Sequence, residues 1–288
     1  MYARRLLPLL TTAFFLLSAA VFSRAQQAPY TGQVRIARGQ DVTPAFEGWM
    51  PNADGTFSMY FGYMNRNYDE QLDIPIGPDN NVSFSGVGGG AKDGDNVVDK
   101  GGDKGQPTHF YLRRQRMVFA VVIPKDWGLE RKVVWTLTAR GKTNVAKGWL
   151  QPEWQINKEV IMQEVGGGAD LENQPPVFVS GSGPQTVTLP NTVTLTATAQ
   201  DDGRPKPRVV RDIEDVDAPA PVGLSVRWIQ YRGPGGVSLE RGGAASGYQK
   251  PVTATTTVSF KVPGVYVLRA IANDGALITF HDVTVTVK

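Results

Sequence analysis

The strongest constraint on the fold is a strict alternation of apolar and polar residues in the last third of the chain. Residues 193–199 read Val-Thr-Leu-Thr-Ala-Thr-Ala, and residues 283–287 read Val-Thr-Val-Thr-Val. Successive side chains of a β-strand point to opposite faces, so a period of two predicts strands that are buried on one face. Because the chain also has 32 glycines and 20 prolines for turns, it is predicted to be all-β.

The C-terminal part, residues 174–288, is predicted to be a separate β-sandwich domain. Short strands that follow one another at this spacing, with turn residues between them, are typical of such sandwiches. The strand segments are 186–189, 193–199, 224–230, 255–260, 264–271 and 283–287.

Several residues of this part resemble immunoglobulin-like extracellular modules, and PKD modules in particular. These residues are Asn173–Pro176, Leu195, Trp228, Pro263–Leu268 and Asn273–Gly275. The resemblance implies that Leu195 and Leu268 pack against Trp228, at the positions where antibody domains have cysteines. It also implies that Tyr266 forms a tyrosine corner. It implies no particular function, because such modules serve as spacers, adhesins or partner-binding units.

The N-terminal part, residues 26–165, is predicted to be an antiparallel β-sandwich-like domain. A Pro-Asn-Ala-Asp-Gly turn at 51–55 separates two strand segments and predicts a hairpin. A second hairpin is predicted around Arg140-Gly141. Asn157 is expected to cap a short helix that runs to Val165. The glycine-rich segment 79–108 is expected to be a long solvated loop.

Two patterns in this part resemble uncharacterised exported bacterial proteins of β structure. One is Gly-Trp followed by Asn-x-Asp-Gly-Thr-Phe within residues 48–57, and the other is Gly-Gln-Pro-Thr-His-Phe at 105–110. That resemblance implies no known activity. A flexible linker is predicted at 166–173, where three consecutive glycines are followed by an acidic patch.

Residues 1–25 are predicted to be a cleaved secretory signal. Arg4 and Arg5 precede an apolar run from Leu6 to Phe22, and Ser23-Arg24-Ala25 places small residues at the cleavage site. The alternative is an uncleaved anchor helix, although the run is near the shortest length that spans a bilayer. Because the chain has no cysteine, it can form no disulfide and carry no lipidated cysteine. We therefore expect a protein that is secreted, periplasmic or on the cell surface of a bacterium.

The charge of the chain argues against nucleic acid as a partner. The net charge of +3 is carried by Arg4, Arg5 and Arg24 of the signal, so the remaining chain is formally neutral. Nothing in this charge balance indicates an electrostatic attraction for nucleic acid or anionic lipid. No membrane insertion is expected after the signal is cleaved.

No known catalytic motif is present, so the protein is predicted not to be an enzyme, and no catalytic residue is assigned. It has no nucleophile elbow, zinc-protease motif, phosphate loop or dinucleotide fingerprint. The predicted function is a non-catalytic exported binding or adhesion protein, with the immunoglobulin-like module as spacer or partner-binding unit. Its partner would be a protein or a cell-surface glycan.

Two alternatives remain open at this point. The first is a carbohydrate-binding protein that stacks sugar rings on exposed aromatic side chains. The candidates are Tyr63, Trp127, Trp149 and Trp154. The second is a hydrolase with an unrecognised pair of carboxylates, whose separation depends on the fold rather than on sequence spacing.

Calcium is the one cofactor that the residues suggest. Asp201, Asp202 and Asp274 would supply oxygen ligands at one end of the C-terminal sandwich. The other interpretation of the segment 202–223 is a solvated loop whose mixed charges pair with one another.

Overall fold

A computed structural model describes residues 35–86, 100–164, 170–206, 223–240 and 244–288. Residues Ile36–Lys288 belong to one structural unit, and the predicted signal at 1–25 lies outside the described residues. Nearly all regular structure within the described ranges is β-strand, which confirms the predicted all-β class.

The described residues of the N-terminal part form eight strands in three small sheets. The three-stranded sheets have the orders β1-β2-β6 and β4-β7-β8, and β3 pairs with β5. The strands are β1 Val42–Pro51, β2 Phe57–Asn65, β3 Leu72–Asp73, β4 Asn80–Ser85, β5 His109–Phe110, β6 Arg113–Ile123, β7 Lys132–Ala139 and β8 Lys142–Gly148.

Both predicted hairpins are confirmed. Strands β1 and β2 pair antiparallel up to Pro51 opposite Phe57, and the turn between them is closed by the Asn52 N–H bonding to the Thr56 carbonyl at 2.8 Å. Strands β7 and β8 are joined by Arg140 and Gly141, which have φ of 54° and 73°. Two consecutive residues with positive φ form the tight turn whose twist matches that of the strands.

An aromatic cluster forms the core of the N-terminal part. Trp135 is fully buried, and its ring centroid lies 4.8 Å from that of Phe119, edge to face. Phe61 stacks on Phe119 at 5.4 Å. The indole N–H of Trp135 donates to Asn80 Oδ1 at 3.0 Å, so its polar group is satisfied as burial requires.

Local signals predict the α-helix better than the loop, and a short 3-10 helix at Pro152–Trp154 precedes it. The helix α1 spans Lys158–Glu164, and Asn157 Oδ1 accepts the Val160 N–H at 2.9 Å, which confirms the predicted cap. The segment 79–108 is not a loop throughout, because Asn80–Ser85 forms β4 and pairs with β7. Asn80 and Val82 are buried in that strand, and the loop prediction was wrong there because the glycines that suggested it come later. Residues 87–99 lie outside the described ranges.

The C-terminal part is an immunoglobulin-like sandwich. Its sheets have the orders β10-β17-β16-β12-β14 and β13-β15-β11-β9. The strands are β9 Val177–Gly181, β10 Gln185–Val187, β11 Val193–Gln200, β12 Leu224–Arg232, β13 Val237–Leu239, β14 Ala244–Gly247, β15 Val252–Phe260, β16 Gly264–Asn273 and β17 Ile278–Val287. Strands β9, β11 and β15 share one sheet while β12, β16 and β17 share the other, which is the immunoglobulin arrangement.

The residues that resembled this fold occupy the expected places. Leu195, Leu268 and Trp228 are buried in the same core. The hydroxyl of Tyr266 donates to the Val262 carbonyl at 2.7 Å, which is the tyrosine corner. The finer assignment to the PKD type stays a prediction.

Hydrogen bonds join the two β parts along the end of β12. The Thr108 N–H donates to the Tyr231 carbonyl at 3.2 Å, and the Gly233 N–H donates to Thr108 Oγ1 at 2.9 Å. The Tyr231 side chain belongs to the hydrophobic core of the N-terminal part. The two parts therefore share an interface.

The predicted linker is described only from residue 170 onward. There Asn173 is buried, and its carbonyl accepts a hydrogen bond from Lys158 Nζ at 2.6 Å. The boundaries at 165 and 174 stay predictions.

Candidate functional site

The five-stranded sheet of the C-terminal part forms the floor of a cleft with the face that points away from the sandwich core. Val226 and Trp228 of β12 point into the sandwich core, so Arg227 and Ile229 point to the outer face. Strand pairing aligns Arg227 with Ile271 of β16, and Ile229 with Arg269. Ile271 is in turn paired with Phe280 of β17. This outer face therefore combines apolar side chains with two arginines.

The N-terminal part supplies the opposite wall. Tyr63, Tyr111, Gln115 and Val118 face the outer side of the sheet across a cavity of about 290 Å³. That volume lies at the small end of the range for ligand sites, which are mostly apolar with a few convergent polar groups.

Arg269 forms a strut between the two parts. Its guanidinium carbon lies 3.4 Å from the Tyr231 ring centroid and 4.4 Å from that of Phe280. One guanidinium nitrogen donates to the Val118 carbonyl at 2.8 Å, and two others bond to Asp282 at 2.7 and 2.8 Å. A second cavity, of about 400 Å³, is lined by the same side chains, so Arg269 contributes to both cavities.

Three of the four arginines that line the 290 Å³ cavity are paired with carboxylates. Arg269 pairs with Asp282, and the other two pairs are Arg114 with Glu47 at 2.8 Å and Arg116 with Glu164 at 3.0 Å.

Arg227 differs from these three, because it makes no ion pair or hydrogen bond within the described ranges of the chain. Desolvation of the guanidinium lowers the pKa of Arg227, although the residue as a whole is exposed, and the neighbouring Tyr111 and Tyr63 oppose that shift.

The two tyrosines beside Arg227 have hydroxyl protons to donate. Tyr63 Oη accepts the Tyr111 N–H at 2.8 Å, and Tyr111 Oη accepts the Gln230 N–H at 2.9 Å. Neither hydroxyl donates a hydrogen bond to any part of the chain that the structure describes. Burial raises the pKa of Tyr111 to about 12 and also raises that of Tyr63, so both groups are protonated donors at neutral pH.

His109 lies at the margin of the cavity, with both ring nitrogens bonded. Nδ1 lies 2.7 Å from Asp73 Oδ1, and Nε2 lies 2.8 Å from Gln71 Oε1. Both ring nitrogens are therefore engaged, although the residue lines the cavity.

The predicted aromatic binding residues do not form one exposed surface. Tyr63 and Trp127 are 2% and 5% exposed, which corrects the expectation that their rings are accessible. Tyr63 lies on β2 and is buried in the core, whereas Trp127 lies in the connection between β6 and β7 and packs edge to face on Phe84. Trp149 is half-buried, and Trp154 is 44% exposed with its ring 5.7 Å from that of Phe46. Only Tyr63 reaches the cleft.

The three predicted calcium ligands are close enough to interact, since Asp274 and Asp202 both raise the pKa of Asp201. Their oxygens accept N–H groups of the protein: Asp274 accepts from Asn173, Ala276 and Leu277, while Asp201 accepts from Gly203. In the described portion of the sequence, no group of three or more His, Cys, Asp and Glu residues has the arrangement of a metal site.

One sequence signal pointed to the cleft and was missed. Strand β12 has apolar residues on both faces, with Ile229 and Tyr231 on the side away from the sandwich core. A strand that is apolar on both faces is expected to be covered on both, which indicates a second layer. Trp228 accounts only for the face of β12 that points into the sandwich core.

Comparison with known proteins adds little beyond the fold. No protein-family model matches the chain, and no curated protein matches it either. The N-terminal Ig1-2 module of the Drosophila receptor protein tyrosine phosphatase DLAR is 11% identical, with a TM-score of 0.30 over 86% of this chain and 100% of that one.

Two further structures are similar at the same level. Titin domain M7 is 13% identical, with a TM-score of 0.25 over 40% of this chain and 96% of that one. The N-terminal eight Ig domains of DSCAM are 12% identical, with a TM-score of 0.26 over 85% of this chain and 27% of that one. Overlays this loose support no argument, so the immunoglobulin-like assignment rests on the strand order.

Proposed function

We propose that this protein is an exported, non-catalytic binding protein that holds its ligand in the cleft between the two β parts. The observation that carries the proposal is the cavity of about 290 Å³ itself, with Ile229, Ile271 and Phe280 as apolar wall and Arg227 as a polar group. Export is supported by the signal pattern at 1–25.

The chemistry of the lining supports binding rather than catalysis. Its polar groups are mainly arginine and tyrosine donors, and no carboxylate lines this cavity in the ranges that the structure describes. Glycoside or peptide hydrolysis by paired carboxylates needs two such groups facing a common space. The nearby carboxylates Glu47, Glu164 and Asp282 are each engaged by an arginine.

Hydrogen bonds between the two walls of the cavity support a preformed site. The cavity walls are linked by the Gln230 N–H to Tyr111 Oη bond and by the Arg269 bond to the Val118 carbonyl. A wall that is already ordered loses little conformational freedom when a ligand binds. No helix among the described residues has the length and apolar character to cross a bilayer.

The test is to fill the cleft and measure the loss of binding. A library of small acids, amides, amines and sugars is screened by ligand-observed NMR against the mature chain. Ile229→Trp places a large ring in the cavity, whereas Val265→Trp adds the same ring at a position of β16 that is 59% exposed. We expect hits that Ile229→Trp abolishes and Val265→Trp retains. Hits that survive Ile229→Trp, or no hits at all, would overturn the proposal.

A further inference from the structure

Arg227 is the feature of the cleft that its fold does not explain. A guanidinium carries five N–H donors and a permanent charge, and Arg227, although exposed as a residue, lines the cavity without a counter-charge. The other three arginines of the cavity each have a carboxylate partner. Arg227 has none among the residues that the structure describes, although the cavity gives it space for one.

Two further donors lie next to this guanidinium. Tyr63 and Tyr111 are joined by the Tyr111 N–H to Tyr63 Oη bond, and both line the same cavity as Arg227. Each hydroxyl already accepts a backbone N–H, so the role left to its oxygen-bound proton is to donate. An acceptor placed between these groups would satisfy all three.

The surroundings of this donor set define the ligand class. A planar guanidinium pairs with carboxylate or phosphate through two parallel hydrogen bonds. Only one charge is unpaired here, which matches a singly charged carboxylate better than a doubly charged phosphate. The rest of the lining includes Ile229, Ile271 and Phe280, which favour an apolar body beside the anionic group.

We propose that the cleft binds a carboxylate attached to a small apolar group, with Arg227 pairing with the carboxylate and Tyr63 and Tyr111 donating their hydroxyl protons to it. The inference rests on the proposed function, because it requires that the cleft is a ligand site. Both a free apolar carboxylic acid and the C-terminal residue of a peptide have this chemistry.

The test compares each acid with its neutral amide by isothermal titration calorimetry on the mature chain. The probes are 3-phenylpropanoate for a free acid, N-acetylleucine for a peptide end, the two corresponding amides, and inorganic phosphate. A charge-assisted pair predicts that at least one acid binds about tenfold or more tightly than its amide, and more tightly than phosphate. Tighter binding of 3-phenylpropanoate would identify the ligand as a free acid, and tighter binding of N-acetylleucine would identify it as the C-terminal residue of a peptide.

Three variants assign the effect to the donors. Arg227→Gln is expected to remove the preference for acid over amide, and Tyr111→Phe to weaken acid binding several-fold. Arg227→Lys keeps the charge without the planar fork, so it should bind the acid more weakly and still prefer it to the amide. Arg38→Gln removes one exposed positive charge outside the cleft and should change nothing. Melting temperatures verify that each variant is folded.

The outcomes separate this inference from the proposed function. Equal binding of acid and amide, or a preference for phosphate, would overturn the carboxylate inference while the cleft remains a ligand site. A preference that Arg227→Gln and Arg227→Lys leave unchanged would also overturn it. If neither acid nor amide binds but other library hits are lost in Ile229→Trp, the cleft binds a different class of ligand and the inference fails alone. If no library member binds, both fail.

Discussion

Replacement of Arg269 by alanine is expected to destabilise the protein far more than loss of an ordinary surface arginine. The side chain is 10% exposed, contacts the rings of Tyr231 and Phe280, and bonds to the Val118 carbonyl and to Asp282. The substitution removes all of these contacts and enlarges the space beside both cavities that the side chain lines.

The expected loss can be estimated from the individual contacts. A hydrogen bond from a charged donor contributes about 1.5–3 kcal/mol, and each partly desolvated ring contact about 0.5–1 kcal/mol. The pair with Asp282 adds roughly 0.5 kcal/mol, because that carboxylate is 42% exposed and water replaces its partner. The free energy of unfolding should therefore fall by about 3–5 kcal/mol, which lowers Tm by roughly 6–20 °C in a protein of this size.

The assay is differential scanning calorimetry of the mature wild type, Arg269→Ala and Arg66→Ala. Arg66 is a suitable control because it is 47% exposed and pairs with Asp41, which also contacts Lys142 and Asn144. We expect less than about 1 kcal/mol for the control. If Arg269→Ala lowers Tm no more than Arg66→Ala does, the strut does not stabilise the interface and the reasoning is refuted.

Three further predictions concern residues outside the cleft. Burial, together with the charges of Asp274 and Asp202, raises the pKa of Asp201 to about 6, so the folded protein keeps a proton that the unfolded chain loses near pH 4. The free energy of unfolding should therefore fall as the pH rises from about 4 to about 6. Asp201→Asn should recover about 1 kcal/mol of this free energy at pH 7.5 but little at pH 4.5, after allowance for solvent screening. Equal gains at both pH values would contradict this. Calcium binding by the three aspartates predicts a rise in Tm at millimolar Ca²⁺ that Asp202→Asn removes, and no rise would end that hypothesis. Glycan binding predicts array signals that Trp149→Ala or Trp154→Ala abolishes; unchanged signals would exclude both rings.

Much of the local structure could be predicted because it depends on neighbours in sequence. The turn residues at 51–55 and at Arg140-Gly141 specify hairpins by their backbone preferences, and the Asn157 side chain caps its helix by accepting the backbone N–H of Val160, three residues later. The site could be predicted much less well. The exposure expected for Trp127 depended on its position beside a proline turn, whereas Phe84, far away in sequence, covers its ring.

The sequence by itself determined the all-β class, the sandwich of the C-terminal part and the side chains of its core. Alternation with a period of two and short-range turn chemistry are sufficient for these features, since both act over a few residues. Only the tertiary structure decided that Arg227 lies beside Tyr63 and Tyr111. These residues are far apart along the chain, and their juxtaposition depends on how the outer face of β12 packs against the N-terminal sheets. A strand pattern shows that a face is apolar, but the partner that covers it is chosen by long-range packing.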